Sequence, residues 1–586
     1  MTSQTAEKPR YRVKAWSRPG GGPTTSRDAA APAVGTVPAA PVPARSAPRA
    51  ALDGSGAGMF FPYEAASWFT REMGDWLPWI HSPDYEINWN RDRIIARARD
   101  LYRNEPWTRG AIGRILDSTI AGEYRLISQP DWRWLQRQYG PAFDEIWARE
   151  FRQAAEALWR NYATDISRNS DVERQLSLGQ LFRLALGHKL VDGESVMLGY
   201  WLPERLAAPG SYATAYQVLD PDRLANPYLL VDNKYLRGGV EIDDLGVPVA
   251  YHFRQAEPYD WYNAVESMTW ERVEREDEDG FIRVIHDYDR DRGQQHRGIS
   301  IFAPLMPRLK MLARYYGVEL QAATVASVLG LAITSPYDQA EVREAIAGGH
   351  IGPNSVPPGF NFYNDYLAMR RGQYGYGTGL MMEGVKIPVL GQGEKIEGLS
   401  VARPHSNFSP FVHEMLRSVA AVLGLSAEQV TQDTSESSWS SMRGGIVEAE
   451  KMFVRRLKDF DLNTARFVYA NWLAEPYDYG QLPLPRRSPS YLEARTAFSR
   501  GRWLGAARGW VDPVAERQGA VLGLDAAFST LQEECAQQGM DFEENIEQRA
   551  YELELFKKYN IPPPKWGGTE VSTISAAEVS EKPRAA

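Results

Sequence analysis

Thr431-Gln432-Asp433-Thr434-Ser435-Glu436-Ser437-Ser438-Trp439-Ser440-Ser441 is the stretch on which the reading of this chain turns. Short hydroxyl side chains dominate it, Asp433 and Glu436 make it mildly acidic, and Trp439 is its one large apolar residue. Such side chains bond to nearby backbone and favour turns and caps over helix interiors. Just upstream, Pro410 to Leu423 has helical spacing and stops at Gly424, where glycine suits a helix C-terminus. Downstream, helical periodicity runs almost unbroken from Met442 to Leu473, a rod of about 50 Å at 1.5 Å per residue. A polar loop over Ser426 to Ser441 between two helices is therefore expected.

Working outward, Ala303 to Ile333 is again helical and stops before Pro336. Residues 335–405 are rich in Gly, Pro, Tyr and Asn, with a strand-like run from Gly384 to Leu390, and form an excursion between two helices. Further upstream, apolar residues recur at helical spacing from Asn90 to Ala121 and from Phe143 to Tyr162. Between Gly193 and Tyr288 the pattern becomes short β-rich runs (Val196 to Leu202, Tyr216 to Leu219, Ala250 to Phe253, Phe281 to Ile285), which predict a mixed sheet packed on those helices. Helices over Ala515 to Gln538 and Phe542 to Tyr559 close the ordered chain. Residues 1–50 hold eight prolines and eight Lys/Arg against Glu7 and Asp28, the composition of a flexible basic arm, and 567–586 form a second polar tail. No repeat of roughly 20–50 residues indicates a solenoid or propeller. The fold class expected is α+β.

Composition narrows the chemistry. The chain has 586 residues and one cysteine, Cys535, so no intramolecular disulfide framework and no Cys-rich metal site is expected. Net charge is −9 (66 Lys+Arg, 75 Asp+Glu), the wrong sign for a surface that grips nucleic acid throughout. The longest mostly apolar stretch, Ala322 to Ile333, falls short of the roughly 20 residues a membrane span needs, and the N-terminus lacks the apolar core of a signal peptide.

Catalytic motifs are missing. No Gly-Lys-Ser/Thr phosphate loop and no Gly-x-Ser-x-Gly elbow occurs, and Gly375, Gly377 and Gly379 begin a dinucleotide fingerprint that they do not complete. The eight histidines show no ligand spacing; His405 and His413, eight apart, suit structural roles. His286-Asp287-Tyr288-Asp289-Arg290-Asp291 is the best metal candidate, with alternate carboxylates. A calcium loop counted from Asp287 would have Arg292 and Gly298 where it needs glycine and glutamate. A solvated turn, its carboxylates neutralised by Arg290 and Arg292, is the expectation; a metal-dependent nuclease or DNA-packaging enzyme using Asp287 to Asp291 is the rival. No cofactor, metal or catalytic residue is expected.

A series of short pieces, in order, carries a resemblance. Asp192-Gly193-Glu194 comes first, then Asp220-Pro221-Asp222-Arg223-Leu224, Gly239-Val240-Glu241, Gly246 and Ala250-Tyr251. His286, Arg297-Gly298-Ile299-Ser300 and the helix from Tyr315 to Ala323 follow, then Asp433 to Arg443, Trp510-Val511-Asp512-Pro513 and Gly539 to Glu544. Over roughly residues 85–560 the chain resembles the portal (head-to-tail connector) proteins of the lambda-like family of tailed double-stranded DNA bacteriophages. Gln295-His296 stretches one family-like turn, and Trp439 stands where that family has a tyrosine.

The resemblance implies a ring, of twelve subunits in that family, around a DNA channel at one capsid vertex of the virion, assembled in the host cytoplasm. It implies a portal fold with an α/β wing, a two-helix stem, a small mixed clip, a long channel helix and a helical C-terminal crown. Mapped onto this chain, the arm is 1–56, the wing 57–302, the first stem helix 303–334, the clip 335–405 and the second stem helix 406–425. The channel loop is 426–441, the channel helix with its return to the wing 442–510, the crown 511–566 and the tail 567–586. Partners implied are double-stranded DNA without sequence preference, the large terminase subunit, major capsid and scaffold proteins, and a head-completion or tail-adaptor protein, with no membrane.

A conduit must let DNA slide, so a short-chained, mildly acidic loop suits its lining better than strong phosphate contacts. The candidate channel loop is Thr431 to Ser441. Candidate channel-helix charges are Arg443, Lys451, Arg455, Arg456 and Lys458; Glu448 with Lys451, Arg455 with Asp459 and Lys458 with Asp461 are spaced to pair along the helix. The candidate partner surface of the clip is Asn361, Tyr363, Tyr366, Tyr374 and Tyr376.

Overall fold

The computed structural model describes residues 65, 73, 75–120, 124–207, 210–329, 380–382, 385–387, 408–435, 438–507, 509 and 513–562. The arm over 1–56, the tail over 567–586, Gly375, Gly377, Gly379, His405, Glu436, Ser437 and nearly all of 335–405, including Asn361, Tyr363, Tyr366, Tyr374 and Tyr376, lie outside the described residues.

The first helical run is two helices, α1 (Pro83–Asn104) and α2 (Pro106–Thr119). Pro106 has no N–H and forces Glu105 into extended backbone, so the periodic stretch breaks there. After β1 (Arg125–Ser128) and α3 (Trp132–Tyr139), α4 (Glu145–Ala163) starts where the Asp144 side chain accepts from the Trp147 backbone N–H, and α5 (Leu178–Val191) starts at a Ser177/Gln180 capping box.

Next come β2 (Glu194–Trp201), β3 (Thr214–Leu219), β4 (Leu236–Arg237), β5 (Val240–Ile242), β6 (Pro248–Arg254), β7 (Trp270–Glu274) and β8 (Val284–Tyr288). They form not one mixed sheet but two antiparallel ones, in the orders β3-β2-β8 and β4-β5-β6-β7. None of the connections holds the crossover helix that a parallel pair requires. Alternation along β2 explains the layering: Met197 joins the main core beside the helices, whereas Val196 and Leu198 join Val240, Ile242, Tyr251, Phe253 and Val273 in a second core between the sheets.

The chain continues through α6 (Met306–Leu329), the hairpin strands β9 (Leu380–Met382) and β10 (Val385–Ile387), and α7 (Phe408–Leu423). α6 and α7 share a small apolar seam of Leu312, Val412 and Leu416, with Tyr315 stacked on Phe408 at 5.4 Å. Then follow α8 (Ala427–Thr431), α9 (Trp439–Phe460), a π-helical turn at Asp461–Ala465 and α10 (Arg466–Asp478). The last three make one rod about 60 Å long. Its C-terminal part is driven into the main core, where Trp472 lies 5.0 Å from Trp159 and stacks on Tyr162 at 5.5 Å.

The short α11 (Arg495–Phe498) leads into β11 (Gly501–Leu504), which returns to pair with β1. The expected helix Ala515 to Gln538 is two, α12 (Pro513–Asp525) and α13 (Leu531–Gln537), parted where Ala527 adopts a left-handed φ of 58°; α14 (Phe542–Lys558) follows. None of these three has a buried residue; Arg152 of α4 holds the start of α14 through Asp541 (2.7 Å) and Glu543 (2.8 Å). Among the described residues no helix is long and apolar enough to cross a membrane.

Candidate functional site

The polar stretch between α7 and α9 is shorter as a loop than its composition predicts. α7 ends at Gly424 (φ 73°), where a Cβ would come within 3.0 Å of the Met452 side chain, so the chain turns tightly against α9. Ser426 and Gln429 form a capping box for α8, and Gln432, left-handed at φ 56°, ends it. Thr431 thus belongs to a helix. Trp439, Ser440 and Ser441 also lie in a helix, the first turn of α9, because the Ser438 side chain caps it by accepting from the Ser441 N–H at 3.2 Å. Between these two helices the described residues Gln432, Asp433, Thr434, Ser435 and Ser438 are exposed.

Asp433 turns inward on itself. Its Oδ1 accepts from Ser435 N–H (3.0 Å) and Ser435 Oγ–H (2.6 Å), and these bonds hold its carboxyl below the usual value. Among the described residues this is an exposed turn of hydroxyls around the Asp433 carboxylate, just ahead of a long helix, which offers a polyanion neither strong repulsion nor a grip.

Of the five helix cations, Arg443, Lys451, Arg455 and Lys458 are exposed. Arg456 is not: it is half-buried, donates to Met452 Sδ and faces Asp289, which removes it from the outer stripe. Lys451 pairs with Glu448 at 2.7 Å, but the expected pairs Arg455–Asp459 and Lys458–Asp461 are not formed. Asp461 opens the π-turn in a site where burial raises its carboxyl to about 7 despite Arg466, and this disfavours the charged form that Lys458 would meet.

The motif pieces between Asp192 and Ser300 meet in one buried ionic knot. Glu194, on the face of β2 that looks toward the second sheet, is fully buried and accepts from Arg91 (2.6 Å), Arg297 Nε (3.0 Å), His286 Nε2 (3.1 Å) and the Gly298 N–H (2.9 Å). Burial opposes its charge, yet Arg297 and Arg91 hold the carboxyl well below the usual range. Arg99 gathers Asp192 (2.8 Å), Asp220 (2.6 Å) and Asp222 (2.8 Å) beside it. Gly193 and Gly298 let their backbones touch: a Cβ on Gly298 would overlap the Gly193 carbonyl oxygen and lie 2.6 Å from its carbon.

Asp287 to Asp291 is neither a metal loop nor, at its start, a solvated turn. Asp287 is a buried strand residue paired with Lys189 (2.8 Å) and bonded by Asn463 and Thr464, and Lys189 also reaches Asp289 (3.0 Å). Burial works against charge on Lys189, and the two carboxylates outweigh it. Among the described residues no group of three or more His, Cys, Asp or Glu is arranged to hold a metal ion. The charged groups of the knot pair with one another, with only Arg91 Nε and Asp222 Oδ1 among their buried atoms left without a hydrogen bond, which suits a structural joint.

Sequence patterns alone do not single out Arg91, Arg99 or Lys189. The usable signal for Arg91 is its place on the stripe Ile87, Arg91, Ile95, Ala98, a cation where helical spacing demands an apolar residue.

Comparison with known proteins is specific. The family model described as phage portal protein, lambda family, matches residues 69–456. Portal protein B of Escherichia phage lambda is 28% identical over 504 residues, covering 85% of this chain and 90% of that protein. The portal protein of Escherichia phage N15 is 27% identical over 499 residues, covering 85% and 91%. Among solved structures, the chain is similar to one from the virion of a native gene transfer agent particle, at 14% identity and a TM-score of 0.34, covering 76% of this chain and 93% of that one.

Proposed function

The chain belongs to the lambda family of phage portal proteins, and from that premise we propose that it is one subunit of a twelve-membered ring at a capsid vertex through which double-stranded DNA enters and leaves the head. The match over 69–456 carries this reading. In it the two-sheet unit and its helices are the wing (57–302), α6 and α7 belong to the stem (303–334 and 406–425), and 335–405 is the clip. The rod from α9 to α10 is the channel helix, and α12 to α14 form the crown. Residues 432–438 face the DNA, with Arg443, Lys451, Arg455 and Lys458 beside them. The role is structural; movement of DNA is driven by a terminase that docks on the clip and is later replaced by a head-completion or tail-adaptor protein. Capsid and scaffold proteins surround the ring, which assembles in the host cytoplasm.

The test is ionic. Replacing Asp433 and Glu436 by lysine puts a cation on the loop in every subunit, and each phosphate that is newly neutralised steepens the log–log salt dependence of DNA binding by about 0.9. Rings of Asp433→Lys/Glu436→Lys assemble normally, stall DNA at low salt and partly recover at high salt. Superimposable curves of DNA retention against ionic strength for variant and wild type would show that other residues line the channel.

A further inference from the structure

The turn between β6 and β7 holds three aromatic side chains in solvent: Tyr259 is 92% exposed, Trp261 91% and Tyr262 97%. The turn is nonetheless well tied. Asp260 accepts from the Tyr262 N–H (3.0 Å) and from Asn263 Nδ2 (2.8 Å), the Ser267 N–H reaches Asn263 O (2.9 Å), and Arg254 bonds Ser267 O (3.1 Å). Tyr259 is left-handed at φ 63°, a conformation that costs a non-glycine residue energy. Three nearly bare rings offer about 500–700 Å² of aromatic surface, more than an isolated soluble surface usually exposes in one place.

Charge on this knob has one sign. From 255 to 271 there is no Lys or Arg, while Glu257, Asp260, Glu266 and Glu271 are acidic; burial raises the Glu257 carboxyl to about 7 in spite of Arg223 nearby, and Glu266 forms no ion pair among the described residues. A ligand for it should stack on aromatic rings and carry cations nearby. Extended proline segments do the first at low entropic cost, because their backbone is already fixed.

We propose that the aromatic–acidic knob docks the proline segment of the chain's own N-terminal arm, Pro38-Ala-Ala-Pro41-Val-Pro43-Ala-Arg45-Ser-Ala-Pro48-Arg49. Pro38, Pro41 and Pro43 supply the pyrrolidine faces, and Arg45 and Arg49 supply cations for the acidic side chains of the knob, Glu266 first among them. Reach is sufficient. A random coil of the length that separates Arg49 from Trp76 has a root-mean-square span of about 30 Å. The base of the knob, where Arg223 bonds the carbonyls of Arg254 and Gln255, lies near Asp220 and Asp222 and thus near Arg99, about 24 Å along α1 from its start at Pro83.

Trypsin cleavage at Arg45 and Arg49 in the assembled full chain reads the contact. A weak site of about 100 µM met at an effective concentration of about 1 mM is mostly occupied, which slows cleavage about tenfold. Trp261→Ser/Tyr262→Ser and, separately, Pro38→Ala/Pro41→Ala/Pro43→Ala remove that protection, while a tryptic site elsewhere is cut at the wild-type rate. A photo-crosslinking benzoylphenylalanine in place of Trp261 captures residues 38–49, and in rings mixed from isotopically light and heavy chains the crosslink joins like with like. Unchanged cleavage in both variants, or crosslinks to a neighbouring copy's arm, to another surface or to a different protein, would overturn the proposal.

Discussion

Gly298→Ala is the substitution whose cost the structure defines most closely. The added methyl would lie 2.6 Å from the Gly193 carbonyl carbon and 2.9 Å from Tyr288 Cβ, both in rigid surroundings, so the two backbones must part by about 1 Å. That movement takes the Gly298 N–H, now 2.9 Å from Glu194 Oε2, out of bonding range of a buried carboxylate. A lost bond to a charged group is worth about 1.5–3 kcal/mol and overpacking adds about 1–3, so about 2.5–6 kcal/mol is expected in all. For a unit of about 200 residues each kcal/mol moves the melting midpoint about 2–4 °C, which puts the shift near 10 °C. Thermal unfolding followed by near-ultraviolet circular dichroism measures it, with Gly293→Ala, where nothing lies within 4 Å, as the matched control. If both variants melted within a degree or two of wild type, the close approach of the 193 and 298 backbones would not be the joint described.

Two further outcomes follow from buried charge. Asp461 titrates near 7 in the fold against an ordinary value of 3.8, so the native state holds its proton between those values and stability falls as pH rises from about 4 to about 7, then levels. Asp461→Asn removes that slope: variant and wild type melt together near pH 4, the variant melts higher at pH 8, and a constant difference across the range would contradict the assignment. Lys189→Met leaves Asp287 buried without its cation and costs about 3–5 kcal/mol, whereas Lys189→Met/Asp287→Leu recovers part of the loss; denaturant midpoints of the two variants that failed to separate would argue against the pair.

Local rules decide what is legible in this sequence. Gly424 ends α7, the rod from α9 onward follows its periodicity, and β2 shows its strand character in Val196 to Leu202. The edges of the polar loop are illegible for a simple reason: Ser435, Ser437, Ser438, Ser440 and Ser441 are all competent caps, and composition cannot say that Ser438 is the one that accepts from N3. Ser426-x-x-Gln429 is a readable capping signature, and it shortens the expected loop from its upstream side. The split into two sheets is set by distant contacts, since Val196 and Met197 differ only in which core they enter. The motif pieces are visible as a series, but their convergence on Glu194 depends on Arg91, far away along the chain.

The rod that begins at Ser438 has a mechanical consequence. Near its start Ser441, Arg443 and Gly444 stand exposed, whereas beyond the π-turn Val468, Tyr469, Trp472, Leu473 and Tyr477 are sunk in the main core. A push on 432–435 therefore has one stiff column to travel down, and its footing is the aromatic packing around Trp159 and Trp472. The column has a joint at Asp461–Ala465, where helical hydrogen bonding is already re-registered and Asn463 and Thr464 grip Asp287 of β8. Load arriving there is shared between the core below and the sheet beside it, so displacement of a loop at the tip would be felt as strain in the two-sheet unit.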